Sequence, residues 1–289
     1  MSLESHKGIE GEEQNEGSFD LKKRAYFSRL ALSVLEAMRM HKNPGSLWER
    51  NKEGKRDWEN VSEHCLVEVA RARVLGEKLR LPETTMREVA LGAALHDFNK
   101  RHEIEAIKAA IARGESGGEA SDKTDEEGEY ELHKFGFGEN VVEIAGSVGG
   151  KSKELFGMTR ILAQEKLTDK DVALLLMHYV DGYTRGSDWA EPVAKEEDGM
   201  VVNEVDRRTR KNLENPNYRK KNEESIVEFT DNPILHGRGG IENEGVVCHL
   251  IEKRLAALIT ERTEETIDPL GLPEVVDQEI RKKIAASAL

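Results

Sequence analysis

The stretch VALLLMHYVDGYT at residues 172–184 is strongly apolar. It follows Thr168-x-x-Asp171, a capping-box pattern that starts helices, and its apolar run is long enough for a central helix. Asp181 lies four residues after Met177, so its carboxylate projects from the buried face of that helix. A buried, unpaired carboxylate is costly, and the position therefore predicts a cation beside Asp181.

Weaker helical patterns lie on both sides of this segment. Apolar spacing, capping patterns and Gly or Pro stops predict further helices at residues 22–41, 58–80, 86–98, 103–112, 140–148 and 245–260. Signals for β-strands are almost absent. The sequence therefore predicts an all-α bundle of roughly six to eight helices, with a long irregular segment before the last one.

Shifts in composition predict the organisation of the chain. Residues 1–20 are acidic and Gly-rich, which indicates a flexible tail. Residues 21–185 form the predicted helical core, interrupted by a mobile acidic loop at 113–131. Residues 186–289 are interpreted as the irregular, partly basic segment and a closing helix that packs on the same domain.

The composition also narrows the function classes. The 289 residues carry a formal net charge of −13, which disfavours non-specific nucleic-acid binding as the main activity. No apolar run is long enough to span a membrane, and the first residues lack the apolar core of a signal peptide. We therefore expect a cytoplasmic protein without a membrane partner. Cys65 and Cys248 are too few for a disulfide framework or a four-Cys zinc site.

One local pattern points to metal chemistry. His96 and Asp97 are adjacent at the end of an apolar helix, and Lys100 follows closely. A divalent ion would compensate the desolvated carboxylate, since imidazole nitrogen and carboxylate oxygen are both common ligands. Adjacent helical residues point about 100° apart, so this pair can reach one ion only where the backbone leaves the helix. His64 and Asp181 offer the additional ligands.

These residues together resemble the HD superfamily of metal-dependent phosphohydrolases. The resemblance rests on Glu63-His64, on Leu95-His96-Asp97-Phe98-Asn99-Lys100 and on Val180-Asp181-Gly182-Tyr183-Thr184-Arg185. It implies an HD-domain-like helical bundle in which one divalent metal ion, Mn, Fe, Co, Ni or Mg, is bound by four ligands: His64, His96, Asp97 and Asp181.

The resemblance also implies catalytic roles for Asp97 and Lys100. Asp97 would help to orient the nucleophile, and Lys100 matches the Lys of an HD-x-G-K variant that lies near the phosphate. A cation at this position suits phosphoryl oxygens, although a helix cap explains Lys100 too. Asn99 stands where that variant has Gly. Glu103 is either a general base acting through water or an ordinary first-turn Glu.

The number of metal ions and the substrate contacts depend on residues outside this set of four ligands. Two-metal members of the family carry extra histidines, and none stands at residues 146–149, where one would be expected, so a single ion is predicted. His178, one turn before Asp181, is either a pocket residue or a packed histidine. His133 is a candidate substrate contact, with a surface role as the alternative. Arg185 is a further candidate substrate contact.

Residues 206–221, DRRTRKNLENPNYRKK, are rich in bases and include Tyr218. Such a segment either faces phosphates, with Tyr stacking on a base, or is a solvated stretch that balances an acidic protein.

Three functions are consistent with this sequence. The favoured one is a metal-dependent phosphohydrolase that cleaves a small phosphoester, most plausibly a nucleotide, with a metal-activated water. The second is an HD-type nuclease or phosphodiesterase acting on single-stranded nucleic acid, similar to the stand-alone HD nucleases of CRISPR-type systems. The third is a non-catalytic HD-like nucleotide-binding module. An intact set of four ligands argues against the last.

Overall fold

The computed structural model describes residues 9–41, 61–186, 188–195 and 199–288. Its helices are α1 Ile9–Ser33, α2 Leu35–Met40, α3 Val61–Lys78, α4 Glu83–Leu95, α5 Lys100–Ala112, α6 Gly117–Lys134, α7 Glu139–Ala145, α8 Ser152–Leu162, α9 Asp169–Tyr183, α10 Glu204–Glu214, α11 Pro216–Glu224, α12 Gly240–Thr263 and α13 Leu272–Ala285. Short 3₁₀ turns cover Ser225–Phe229 and Pro269–Gly271, and a small antiparallel hairpin joins β1 Ala194–Lys195 to β2 Val201–Val202. The all-α prediction is confirmed.

Helix α9 lies at the centre of the bundle. Every residue from Val172 to Tyr183 is buried, and the Thr168–Asp171 capping box is formed as predicted. α9 packs against α3, α4, α7, α8, α10 and α12. Gly182 permits the approach of α12, since a Cβ there would collide with the Sγ of Cys248. The buried run thus holds Asp181 at the middle of the fold.

The acidic stretch at residues 113–131 is helical, where a loop was expected. α6 starts at Ser116, whose side chain accepts a hydrogen bond from the amide of Glu119, and the helix packs along α5. Its buried positions are small or polar except for one leucine: Ser121, Thr124, Gly128 and Leu132. A face built mainly from such residues has no apolar periodicity, which is why the pattern indicated a loop.

The expectations for the segment before α12, for the last helix and for the N-terminal tail need correction. The segment 186–240 contains α10 and α11, and α10 starts with a capping box of Asn203 and Asp206. The 245–260 helix is the larger part of α12, and α13 follows it. Residues 9–20 of the expected tail belong to α1, and residues 1–8 lie outside the described residues. The division into a tail, a core and a C-terminal segment remains a prediction.

Among the described residues, every helix is too short or too polar to cross a membrane.

Candidate metal centre

Three helices bring the predicted ligands together. α3 supplies His64, the end of α4 supplies His96 and Asp97, and α9 supplies Asp181. His96 is the residue that ends α4, and Asp97 lies in the turn before α5. The backbone therefore leaves the helix at the doublet, as required for two adjacent side chains to face one point.

Backbone carbonyls fix the tautomers of both histidines. Nδ1 of His64 donates to the carbonyl of Gly186 at 3.1 Å, and Nδ1 of His96 donates to the carbonyl of Ala93 at 2.9 Å. A carbonyl oxygen can only accept, so in each neutral ring the lone pair is on Nε2. Metal-binding histidines are held in this way, with the second ring nitrogen donating to a backbone or carboxylate oxygen.

The two Nε2 atoms face a group of carboxylates. His64, Glu68, His96 and Asp181 each place a potential ligand atom within 4.8 Å of the others. Oδ1 of Asp181 is 4.0 Å from both Nε2 atoms. Asp97 lies beside this group, with its Oδ2 3.9 Å from Nε2 of His64 and 3.7 Å from Nε2 of His96.

Unpaired buried atoms give an independent indication of a cation. Nε2 of His96 is buried without a hydrogen-bond partner, and the buried oxygens of Glu68 make no hydrogen bond beyond their ion-pair contacts with the two imidazoles, at 3.0 and 3.3 Å. Buried polar atoms are nearly always paired, and the atoms that meet here are acceptors. A divalent ion would satisfy them together, since imidazole nitrogen and carboxylate oxygen are both common metal ligands. The residues present therefore fit a metal ion.

Electrostatics keep the cluster charged. Burial lowers the pKa of His64, but the carboxylates of Glu68, Asp97 and Asp181 together outweigh burial and raise that pKa to about 9. Burial raises the pKa of Asp97, but Lys100 and then the two imidazoles hold it well below the usual range of a carboxyl group. Asp97 is thus an anion at neutral pH. Because a proton and a metal ion would compete for the lone pair of His64, metal binding there would release a proton.

Lys100 lies at the edge of this centre as the first residue of α5. Its Nζ is 3.6 Å from Oδ1 of Asp97 and 3.0 Å from Oε2 of Glu103. Ser121 also donates a hydrogen bond to Glu103 at 2.8 Å. Asp97 raises the pKa of Lys100, which remains a cation.

Sequence reasoning missed two residues of the centre. Glu68 lies one turn after His64 on α3, with its Oε1 3.0 Å from His64 Nε2, and a His-x-x-x-Glu spacing was the available signal. Arg208 donates to both oxygens of Asp181, at 3.1 and 3.2 Å. It belongs to the basic segment 206–221, and nothing in the sequence distinguishes it from its basic neighbours.

Three predicted residues remain, and they differ in how near they lie to the metal centre: His178, His133 and Arg185. His178 is buried near the centre on α9, with Nδ1 donating to the carbonyl of Ser147 at 2.8 Å. His133 lies 3.6 Å from Glu139 on the surface, as its alternative interpretation expected. Arg185 binds Glu204 and Glu191 through its guanidinium. The contacts described for these last two are with residues outside the metal centre.

Comparisons of the chain with family models, curated proteins and solved structures give no match.

Proposed function

We propose that the protein is a metal-dependent phosphohydrolase that acts on a small phosphoester, with a nucleotide as the first candidate. One observation carries the proposal: two imidazoles, each held through Nδ1 by a backbone carbonyl, meet three carboxylates, and the buried Nε2 of His96 has no hydrogen-bond partner. The proposal also draws on the resemblance of the His64, His96-Asp97 and Asp181 pattern to the HD superfamily.

His64, His96, Asp181 and either Glu68 or Asp97 would hold the ion. When bound, a divalent ion at such a site lowers the pKa of a water and polarises a phosphoryl oxygen. Asp97 is an anion in contact with Lys100, and its role would be to orient the attacking water. Lys100 would neutralise charge on the phosphoryl group.

The exposure of the side chains indicates where substrate would enter. Glu68 and His96 are buried, whereas the side chains of Asp97 and Lys100 are 22% and 38% exposed. Solvent thus reaches the centre from the side where Lys100 lies. A phosphate approaching from this side would meet a cation first.

A second candidate function is cleavage of single-stranded nucleic acid. The observation that favours it is the contact of Arg208 with Asp181, because it brings the basic segment 206–221 to the metal centre. Tyr218, an exposed residue of the same segment, is close enough to Lys100 to influence its pKa. The phosphates of a nucleic-acid strand could contact the basic side chains of this segment, and a nucleobase could stack on the ring of Tyr218.

The test is a substrate panel with purified protein loaded with Mn²⁺ or Co²⁺. It includes nucleoside mono-, di- and triphosphates, p-nitrophenyl phosphate, bis-p-nitrophenyl phosphate and a single-stranded oligonucleotide. We expect phosphate release by wild type and by the matched control His236→Ala, which alters an exposed histidine far along the chain, but none by His96→Ala. Cleavage of the diester and the oligonucleotide alone would favour the second candidate. An inactive, metal-loaded wild type across the panel would contradict both.

A further inference from the structure

Arg208 is held between two carboxylates. Its Nη1 and Nη2 donate to the two oxygens of Asp181 at 3.1 and 3.2 Å, and Nη2 is 3.7 Å from Oε1 of Glu244. Nη1 also donates to the carbonyl of Thr184 at 3.2 Å. The guanidinium is therefore fixed in one place by residues of α9 and α12.

A third imidazole lies on the same side of α9. His178 is one turn before Asp181, and its side chain is almost fully buried. Because its Nδ1 donates to the carbonyl of Ser147, the lone pair is on Nε2, and this buried atom has no hydrogen-bond partner. The charges of Asp181 and Arg208 both act on this ring, although burial is the main reason that its pKa is lowered.

Carboxylates such as those of Asp181 and Glu244 are common ligands of divalent cations, but the group of donors that converges among the described residues is His64, Glu68, His96 and Asp181. Here, a guanidinium lies against the carboxylates of Asp181 and Glu244. From this arrangement we infer that Arg208 is the second cation of the site: a permanent positive charge that binds the phosphoryl group of the substrate, where a two-metal enzyme would use a second ion. The inference rests on the proposed phosphohydrolase function and adds to it the residue that binds phosphate.

The chemistry of arginine suits this role. A guanidinium has five N–H groups, and the hydrogen bonds to Asp181 and Thr184 use three of them. Its planar fork matches two phosphate oxygens, and it stays charged at any physiological pH. An arginine beside a transferring phosphoryl group stabilises the charge that develops there. The side chain is 20% exposed, so a ligand can reach it.

The experiment measures two binding properties that do not require turnover. Bound Mn²⁺ is counted in dialysed protein, and the affinity of the Mn²⁺-loaded protein for inorganic phosphate is measured by calorimetry. The variants are Arg208→Gln, Arg208→Lys and the matched control Glu214→Gln, which removes one exposed charge from the same helix. Arg208→Lys keeps the charge but loses the planar pair of N–H donors of the guanidinium. It serves as the second variant if the glutamine variant does not fold.

We expect one Mn²⁺ per wild-type chain and phosphate binding that is about tenfold or more weaker in Arg208→Gln. Arg208→Lys should retain part of the affinity, and Glu214→Gln all of it. Two Mn²⁺ per wild-type chain, no phosphate binding by wild type, or equal affinity in Arg208→Gln would each overturn the inference. The proposed function would fail separately, through an inactive wild type on the substrate panel, and would survive if turnover occurs without phosphate binding.

Discussion

Glu68 lies one helical turn beyond His64 on α3, and its Oε1 is 3.0 Å from Nε2 of that histidine. Its second oxygen is 3.3 Å from Nδ1 of His96. A single buried carboxylate thus touches both imidazoles of the centre. It balances the charge of the imidazoles when they are protonated. When they hold a metal ion, it is placed either to bind that ion or to orient the two rings.

Glu68→Gln keeps the shape of this side chain and removes its charge. We expect Mn²⁺ affinity to fall about 10- to 100-fold, measured by titration with calorimetric detection. Glu77→Gln makes the same change on the same helix at an exposed position paired with Lys283, and it should bind as wild type does. Unchanged affinity in Glu68→Gln would remove Glu68 from the centre.

The metal content of wild type tests the ligand set directly. After dialysis against Mn²⁺ or Co²⁺, elemental analysis should find about one ion per chain, because one group of donors converges among the residues that the structure describes. His96→Ala should lose the ion, since Nε2 of His96 is a buried lone pair with no other partner. The exposed-site control, His236→Ala, should retain it. Retention of the ion by His96→Ala would refute the proposed ligand set.

Asp97→Asn separates catalysis from folding. Asp97 is partly exposed and lies at the edge of the cluster, so we expect melting within a few degrees of wild type. Turnover of the best substrate should fall about a hundredfold or more. Steady-state kinetics and thermal melts on the same preparations check both parts. Full turnover in this variant would exclude the catalytic role assigned to Asp97.

A partly buried histidine outside the metal centre, His249, makes stability depend on pH. His249 lies 2.9 Å from Asp206 and 3.1 Å from Glu252; burial lowers its pKa, but these two carboxylates raise it to about 9. The folded state therefore binds the proton more tightly than the unfolded state, whose pKa is near the reference value of about 6.5. This contribution is complete below that value and is lost as the pH rises to about 9.

The free energy of unfolding should thus fall by on the order of 1–3 kcal/mol across this window, and His249→Gln should show a shallower fall. Urea titrations in EDTA at several pH values measure it. His64 titrates in the same window but is present in both proteins, so the difference isolates His249. His236→Gln is the control. Parallel pH profiles for wild type and His249→Gln would contradict the assignment.

The buried pair of Arg71 and Asp277 connects α3 to α13. Arg71 donates to both oxygens of Asp277, at 2.9 and 2.6 Å, and also to Thr184 and to the carbonyl of Asp188. Removal of one partner leaves a buried charge uncompensated, so Asp277→Ala should cost about 3 kcal/mol or more in urea unfolding. The exposed change Glu279→Ala on the same helix should cost less than about 0.5 kcal/mol. Equal losses would contradict the role of the buried pair.

The parts of the fold that could be predicted from sequence are those dominated by local signals. The apolar run and the Thr168–Asp171 box predict α9, because burial and capping act within a few residues. α13 was not predicted, although Val276, Ile280 and Ile284 recur at four-residue steps and are all buried. α6 could not be read in this way, because it buries mainly small and polar residues against α5.

The centre shows the same division. The convergence of His64, His96 and Asp181 follows from a residue pattern that resembles a known family, and the structure brings these three together. Arg208 depends on how α10 packs against α9, a tertiary relationship that no local pattern encodes. Glu68 falls between these cases: its spacing from His64 was visible, but its burial was not.

The Arg71–Asp277 pair has a consequence for how the chain is made. Arg71 is three residues after Glu68 on α3, and Asp277 is 206 residues further along. During synthesis, α3, α4 and α9 all leave the ribosome before α13 exists. Before α13 is synthesised, Arg71 has no Asp277 to pair with. Burying its charge beside Glu68 then costs folding free energy, so the interior around Glu68 packs poorly. We therefore expect nascent chains that stall before residue 277 to carry every proposed ligand and yet bind metal poorly. Folding of α13 would then be the step that completes the site.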